Sequence, residues 1–354
     1  MQGHESILNA FSITIGGIIM EKVRVALIGC GGRSGAHQAS FEKMDYVEVV
    51  AVADPVESRR NAAAKRFGCT RIYKDHTELY DNESADTIDA VVIAIEPTAH
   101  TDTELRAIEM GIPFLVEKPV HMEYEKAVEI EKKVREKNLI TCVGFQDRYL
   151  DLMEIVKDEL SKHKPGGLVY GAWVGGIPGP WWWQKKSTCG GQLVEQNIHL
   201  VDGLRWLYGE PLSVYATCSR GIVEPGVDAQ EIYDMDDHST VVYRFKNNVT
   251  ATLVSACYSH DIRPRCGLYI TLQDVVLDYR LRNNLIISKG DGEVDIPRKV
   301  DQTFLLDEAF IKAVMTGDRS LIRSDYSDSL KTHKIAFAAN ESMDTGKVIY
   351  FDEE

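Results

Sequence analysis

The sequence predicts an α/β chain in two parts: a doubly wound parallel sheet, then an α+β region built on an antiparallel sheet. Three observations carry that prediction. Apolar runs alternate with helical patterns over the first 146 residues. Those runs are apolar throughout, as strands covered on both faces are. After about residue 150 the rhythm changes to successive strand-like runs with little helix between them. A length of 354 residues suits two domains, read here as an extension over 1–20, a first domain over 21–146 and a second over 147–354.

The elements of the first part follow in order. Val23–Gly29 is an apolar strand, Ser34–Lys43 a helix and Val47–Ala53 a second apolar run. Glu57–Phe67 is rich in helix formers and stops at Gly68, a natural C-cap. Ala90–Ile95 is a strand, Thr98–Met110 a helix stopped by Gly111, and Phe114–Val116 a strand. Glu123–Lys137 is a charged amphipathic helix and Ile140–Phe145 another strand. In the second part a helix at Leu150–Lys162 is followed by a short strand, a tryptophan-rich loop and a helix near Leu193–Tyr208. Val241–Phe245 with Thr250–Ala256, and Val275–Tyr279 with Leu285–Ser288, read as hairpins around asparagine-rich turns. The chain returns to helix at Thr303–Met315 and at Ser327–Thr345, the latter ending at Gly346.

Composition narrows the function. Hydrophobic residues at 44% and charged residues at 27% describe an ordinary globular chain, not a disordered one. A net charge of −14 without a basic cluster argues against nucleic acid and anionic membranes as partners. Ile7–Met20 is too short to span a bilayer and contains Asn9, Ser12 and Thr14, while His4 and Glu5 stand where a secretory signal needs basic residues. It reads as a dispensable extension. The seven cysteines are odd in number and form no C-x-x-C pair, so neither a disulfide framework nor a metal site is expected. Reduced thiols fit a cytoplasmic protein.

The first strand runs into Gly29-Cys30-Gly31-Gly32-Arg33-Ser34-Gly35. Strand, glycine loop and helix form the context of a dinucleotide fingerprint. Gly29 permits the tight turn, Gly31 and Gly32 let a pyrophosphate approach the backbone, and the helix start with Arg33 and Ser34 offers donors to phosphate. Ser34 stands where a third glycine is usual and is small enough for helix–strand packing. Asp54 closes the second run, 25 residues after Gly29. A carboxylate there accepts from both ribose hydroxyls of NAD and repels the 2′-phosphate of NADP. Arg59 and Arg60 come a turn later, so NAD is favoured over NADP. The plain alternative is a glycine turn beside a surface aspartate.

Glu117-Lys118-Pro119 lies just past the fourth strand, where ligands of open α/β sheets bind. Position alone also suits a solvated lysine. Glu195 and His199 are four apart on a helix led by Gly190-Gly191, with Asp202 three further on. A carboxylate beside an imidazole holds its tautomer and raises its basicity, although an ordinary surface Glu–His pair has the same spacing.

Taken together, these strings resemble the glucose–fructose oxidoreductase / inositol dehydrogenase (GFO/IDH/MocA) family. The resemblance runs from Lys22 onward and includes GCGGRSGAH at 29–37, VVIAIEP at 91–97 with His100, EKP at 117–119 and VGFQDRY at 143–149. It continues through GGQLVEQNIHLVD at 190–202, EAFIKAVMTGDR at 308–319 and AANESMDTGK at 338–347. It implies an N-terminal Rossmann domain, with Glu117 and Lys118 near the cofactor, and a C-terminal domain with a large open antiparallel sheet. It further implies catalysis by Lys118 and His199, with Glu195 at a position where the family usually has aspartate. The implied reaction moves a hydride between NAD and a secondary alcohol of a sugar, glycoside, cyclitol or related polyol. His199 would be the base and Lys118 the donor to the same oxygen. Arg148 falls where the family has a site-lining residue, with Gln146 beside it.

Other residues admit two readings. Trp182 and Trp183, after Trp181, could stack on sugar C–H faces or plug a hydrophobic seam. His37 is structural or near phosphate, and His100 follows the third strand near the expected cofactor. Lys185 and Lys186 are expected to be exposed, and Asp202 to be a structural partner on its helix. Two further functions fit the same scaffold: a glycosidase that uses transient NAD redox and elimination, and a nucleotide- or sugar-sensing regulator without chemistry. An uncovered apolar sheet face calls for a partner, so a homodimer or homotetramer is expected.

Overall fold

The computed structural model describes residues 12–15, 18–164, 166–259 and 266–351. Residues 1–11 of the expected extension lie outside the described residues; Ser12–Ile15 and Ile18–Glu21 pair antiparallel in a two-stranded sheet of their own. The chain forms two compact units. One gathers residues up to Glu117, Glu129–Gly144 and Thr303–Tyr326; the other gathers Lys118–Val128, Phe145–Gln302 and Ser327 onward.

The first unit holds a six-stranded sheet. Its strands are β1 (Val23–Ile28), β2 (Val47–Ala53), β3 (Arg71–Tyr73), β4 (Ala90–Ile93), β5 (Phe114–Val116) and β6 (Thr141–Val143). The order is β3-β2-β1-β4-β5-β6, and every pair is parallel. This is the doubly wound order, with its switch point between β1 and β4. Ala90 to Ile93 and Phe114 to Val116 are all buried, as strands covered on both faces must be. Helix α1 (Gly32–Phe41) follows β1, and α2 (Glu57–Phe67) follows β2. Gly68 and Gly111 end their helices in the left-handed region, at φ 68° and 70°. Edge strand β3 and helix α3 (His76–Asn82), capped by Asp75 accepting from the Glu78 N–H, have no counterpart in the sequence reading. Helix α8 (Gln302–Thr316) returns almost wholly to this unit and buries Asp307 and Phe310 in it.

The second unit holds a sheet of nine strands among the described residues. They are β7 (Gly167–Val174), β8 (Pro211–Ser219), β9 (His238–Phe245), β10 (Val249–Ala256), β11 (Gly267–Thr271), β12 (Val275–Arg280), β13 (Asn284–Lys289), β14 (Gly292–Pro297) and β15 (Ile349–Tyr350). The order is β14-β13-β12-β11-β7-β10-β9-β8-β15. Both expected hairpins form, and Asn247 and Asn248 turn the first at φ 63° and 60°, as a type I′ turn requires. The sheet is not wholly antiparallel: β7 lies parallel to β10, Val249 opposite Gly167 through Ala256 opposite Val174. A long connection separates these two strands, so no hairpin dictates their sense. One face packs a core in which Val169, Val214, Val241, Leu253 and Leu268 meet Leu200, Val201 and Leu204. The last three lie on helix α7 (Ile198–Tyr208). Helix α9 (Tyr326–Thr345) adds Ile335 and Ala339 to that core.

Candidate active site

In the first unit the glycine loop is built by close packing. Gly29 sits at φ 91°, and a Cβ there would stand 2.2 Å from the Ala94 carbonyl oxygen. Gly31 takes the N-cap of α1 in extended conformation with no side chain capping the helix. Gly32 has open space where a Cβ would be. The first turn of α1 therefore receives no hydrogen bond from a capping side chain, which is what a pyrophosphate needs. Ser34 is buried and accepts from the Gln38 side chain at 3.2 Å, so it serves packing.

Asp54 is buried at the end of β2. One carboxylate oxygen accepts from the Cys30 N–H and the other from the Val56 N–H, each at 2.8 Å. The acid thus ties the glycine loop to β2, and each oxygen keeps a lone pair for a ribose hydroxyl. The Arg60 guanidinium is turned onto the Asp54 and Pro55 carbonyls at 3.3 Å. The Cys30 thiol is pushed up to about 12 by burial and by Asp54, so it is no thiolate nucleophile.

Glu117 ends the next stretch of the unit in a buried charge cluster. It accepts from Arg33 Nε at 2.6 Å and from His37 Nε2 at 3.1 Å, while His37 Nδ1 bonds Asp307 at 2.6 Å. Gly144 makes room for it, because a Cβ there would meet the Glu117 carboxylate at 2.5 Å. Burial alone would lower the His37 pKa, but Asp307 and Glu117 outweigh it and raise it to about 9. His37 is an imidazolium clasped by two carboxylates, the structural option of the two left open. His100 is likewise buried and bonds Glu104 one turn on.

The second unit brings the three expected catalytic residues into one neighbourhood. Lys118 Nζ donates to the Glu195 carboxylate at 2.7 Å and to the Glu195 carbonyl at 2.6 Å. Leu193–Asn197 forms a π turn, a widened turn common at functional sites, and α7 starts directly after it. His199 lies in the first turn of α7, 6% exposed, its ring stacked 6.0 Å from Trp173 and edge-on to Phe145 at 6.2 Å. Glu195 is therefore the lysine's anchor.

Arg148 lies in a buried turn at Gln146–Tyr149, with Gln146 equally buried. Its guanidinium forks onto Asp202 at 2.8 and 2.6 Å, reaches Asp328 and covers Trp206. Thr332 adds a bond to Asp202 at 2.7 Å. Asp202 is thus a structural partner, and Arg148 serves the interior of the unit. Trp182 and Trp183 stack on one another at 5.9 Å and pack on Val223, Tyr233, Met235 and Cys257. Trp183 Nε1 donates to Gln192 at 3.2 Å, while Trp181 is 48% exposed. Lys186 departs from the expected exposure: it is partly buried between Asp236 and Asp344, each at 3.3 Å.

Two further residues carried no local signal. Trp173 belongs to a β7 strand whose pairing is set at long range, and His333 lies on α9, where a single histidine among charged residues reads as surface. His333 is instead wholly buried. Among the described residues, no group of three or more His, Cys, Asp or Glu could hold a metal. No described helix is long and apolar enough to cross a membrane.

A glycine loop opening a helix, with an acid closing β2, defines a dinucleotide-binding domain. Comparison with known families makes the class specific. Residues 23–145 match the oxidoreductase family with NAD-binding Rossmann fold, and residues 168–273 match the GFO/IDH/MocA C-terminal domain. The chain belongs to the GFO/IDH/MocA oxidoreductases and carries their NAD-binding domain. It is 25% identical over 349 residues to scyllo-inositol 2-dehydrogenase (NAD(+)) of Bacillus subtilis, covering 94% of this chain and 97% of that one. It is 24% identical over 315 residues to levoglucosan dehydrogenase of Pseudarthrobacter phenanthrenivorans, covering 78% of each. A solved levoglucosan dehydrogenase in complex with NADH shares the fold at a TM-score of 0.83 and 19% identity, over 94% of this chain and 100% of that one.

Proposed function

We propose that this oxidoreductase uses NAD to oxidise a secondary alcohol of a sugar, cyclitol or related polyol, with Lys118, His199 and Glu195 as its catalytic group. The observation that carries the reading is the Lys118 ammonium held by Glu195 at 2.7 Å, one turn from the partly shielded His199 imidazole. The relatives named for inositol and levoglucosan oxidation support the substrate class.

The cofactor residues would be Gly29, Gly31, Gly32, Arg33 and Ser34 around the pyrophosphate, Asp54 at the ribose, and Glu117 and Lys118 beyond β5. The open Gly32 face, the uncapped helix start and the lone pairs of Asp54 fit that group. Bound NAD supplies the acceptor for the hydride that leaves the carbinol carbon. His199 takes the hydroxyl proton. Lys118 donates to the same oxygen as negative charge gathers there. Glu195 holds the ammonium in place, and Trp173 and Phe145 fix the plane of the imidazole. The products are a ketone, reduced cofactor and a proton returned to solvent through His199. Gln146 and the Trp182–Trp183 pair are the substrate-side candidates, and Arg148 acts from behind through Asp202.

The protein works in the cytoplasm as a homo-oligomer in this reading. Leu168, Tyr170 and Tyr215 stand exposed on the sheet face opposite buried Val169 and Val214, and a second copy would cover them. Sedimentation velocity should show a dimer or larger; a monomer at micromolar concentration removes that part. The function is tested by screening purified protein with NAD against cyclitols, sugars and glycosides, following NADH and product together. Net NADH with a polyol is expected. Aglycone release without net NADH, or binding without turnover, overturns the dehydrogenase reading. NAD should bind at least tenfold tighter than NADP in titration; the reverse removes the role given to Asp54.

A further inference from the structure

We propose that His333 is a positioning residue for Lys118: it anchors the backbone directly behind the lysine, as Glu195 anchors the ammonium in front. The inference rests on the dehydrogenase reading for its kinetic consequence and on geometry alone for its structural one. Pro119 has no N–H, so the Val120 N–H is the first backbone donor after Lys118. Val120 is completely buried, and its N–H donates to His333 Nε2 at 3.0 Å. The other ring nitrogen, Nδ1, donates to the Ser329 carbonyl one turn back on α9 at 2.9 Å. These two bonds fix one tautomer, protonated at Nδ1 and accepting at Nε2. The ring also packs on Phe145 at 5.7 Å, the same phenyl that meets the His199 edge.

Only neutral imidazole can accept from Val120, and the surroundings keep it neutral. Burial pushes the His333 pKa down to about 4, the Lys118 ammonium pushes in the same direction, and the Ser329 carbonyl and Asp202 oppose them. Without the histidine, the Val120 N–H is a buried donor lacking an acceptor, a costly arrangement that the segment relieves by moving. A shift of the chain behind Lys118 moves the ammonium relative to the substrate oxygen, and misplacement of about 1 Å can cost on the order of a hundredfold in rate.

Two substitutions separate positioning from packing. His333→Phe keeps an aromatic ring against Phe145 and removes the acceptor. His333→Gln keeps an acceptor for Val120. The expected result is a kcat at least tenfold lower in His333→Phe, with substrate KM and NAD affinity within about twofold, and recovery of most of that loss in His333→Gln. In a Lys118→Ala background, His333→Phe should lower kcat no further, since it acts through the lysine. Labelling of Lys118 by acetic anhydride, read by mass spectrometry, follows the amine without any turnover. It should rise severalfold in His333→Phe and stay at the wild-type level in His333→Gln. Unchanged labelling and kcat in His333→Phe overturn the proposal, as do equal losses in both variants tracking a fall in Tm. Absence of turnover in the wild type with unchanged predictions for labelling would count against the dehydrogenase reading and leave the anchor standing.

Discussion

Two wholly buried histidines, one in each unit, end in opposite charge states. His37 sits between the Asp307 and Glu117 carboxylates and is raised to about 9. His333 sits between a backbone N–H and a backbone carbonyl and is lowered to about 4. Burial pushes both the same way, against the charged form. The partner chemistry decides: carboxylates convert a buried imidazole into a structural cation, and peptide groups keep it a neutral relay. The two rings hold residues three positions apart, His37 the Glu117 side chain and His333 the Val120 N–H, yet they do different work. The nucleotide unit builds a buried charge cluster, while the second unit holds the lysine proposed for the chemistry.

The largest test of that contrast is catalytic. Lys118→Ala and His199→Ala should each lower kcat by on the order of a hundredfold to ten-thousandfold, with NAD affinity in His199→Ala staying within about twofold. A loss of NAD binding in His199→Ala would mean that the nucleotide unit, not the second, had been disturbed. His37→Ala should act on stability instead. It removes the cation shared by the Asp307 and Glu117 carboxylates, with Arg33 still on Glu117, a loss expected to lower stability by about 3–5 kcal/mol. Urea unfolding checks it, and a wild-type midpoint would show that the cluster carries no stability.

The pH dependence of stability sharpens the comparison. An unfolded histidine titrates near 6.5. The His37 contribution is complete below that value and is lost as pH rises through about 9, because the folded state binds the extra proton. The His333 contribution is complete above 6.5 and is lost as pH falls toward about 4, because there the unfolded state binds the extra proton. Each limb is on the order of 3 kcal/mol if the other groups titrate equally in both states. Unfolding free energies measured across this range should fall on both sides, with His333→Gln flattening the acid limb and leaving the alkaline limb. An acid limb unchanged in His333→Gln would show that His333 is not neutral in the folded protein.

The same contrast shows what can be read from a sequence. Local chemistry was legible: Gly68 and Gly111 cap where expected, β2 spans the Val47–Ala53 run, and the Lys118, Glu195 and His199 strings land in one unit. Arg71–Tyr73 was not legible, because a three-residue edge strand containing arginine has neither an apolar run nor room for alternation. Long-range pairing was silent too. Nothing near β7 says that it runs parallel to β10, nothing near Asp307 says that it meets His37, and Val120 is 213 positions from the ring that accepts its proton. Arg148 is a further case, since nothing near its string says that its fork closes on Asp202, 54 positions on.

The smallest expected effect concerns the N-terminal segment. A two-stranded ribbon is marginal in water unless it joins a larger sheet or packs on a helix. Among the described residues, Ser12–Ile15 and Ile18–Glu21 pair with one another in a sheet of their own, and β1 enters the parallel sheet at Val23, where its first N–H is bonded by the Tyr46 carbonyl at 2.9 Å. Among the described residues, the bonds given above for the glycine loop, the His37 cluster and the Lys118 anchors run between positions from Val23 onward. Removal of residues 1–20 should therefore leave kcat, NAD affinity and the unfolding midpoint at their wild-type values, within about 0.5 kcal/mol for the last. A larger loss would place the ribbon inside the nucleotide unit's stability. It would extend the rigid half of the molecule beyond the charge cluster that now accounts for it.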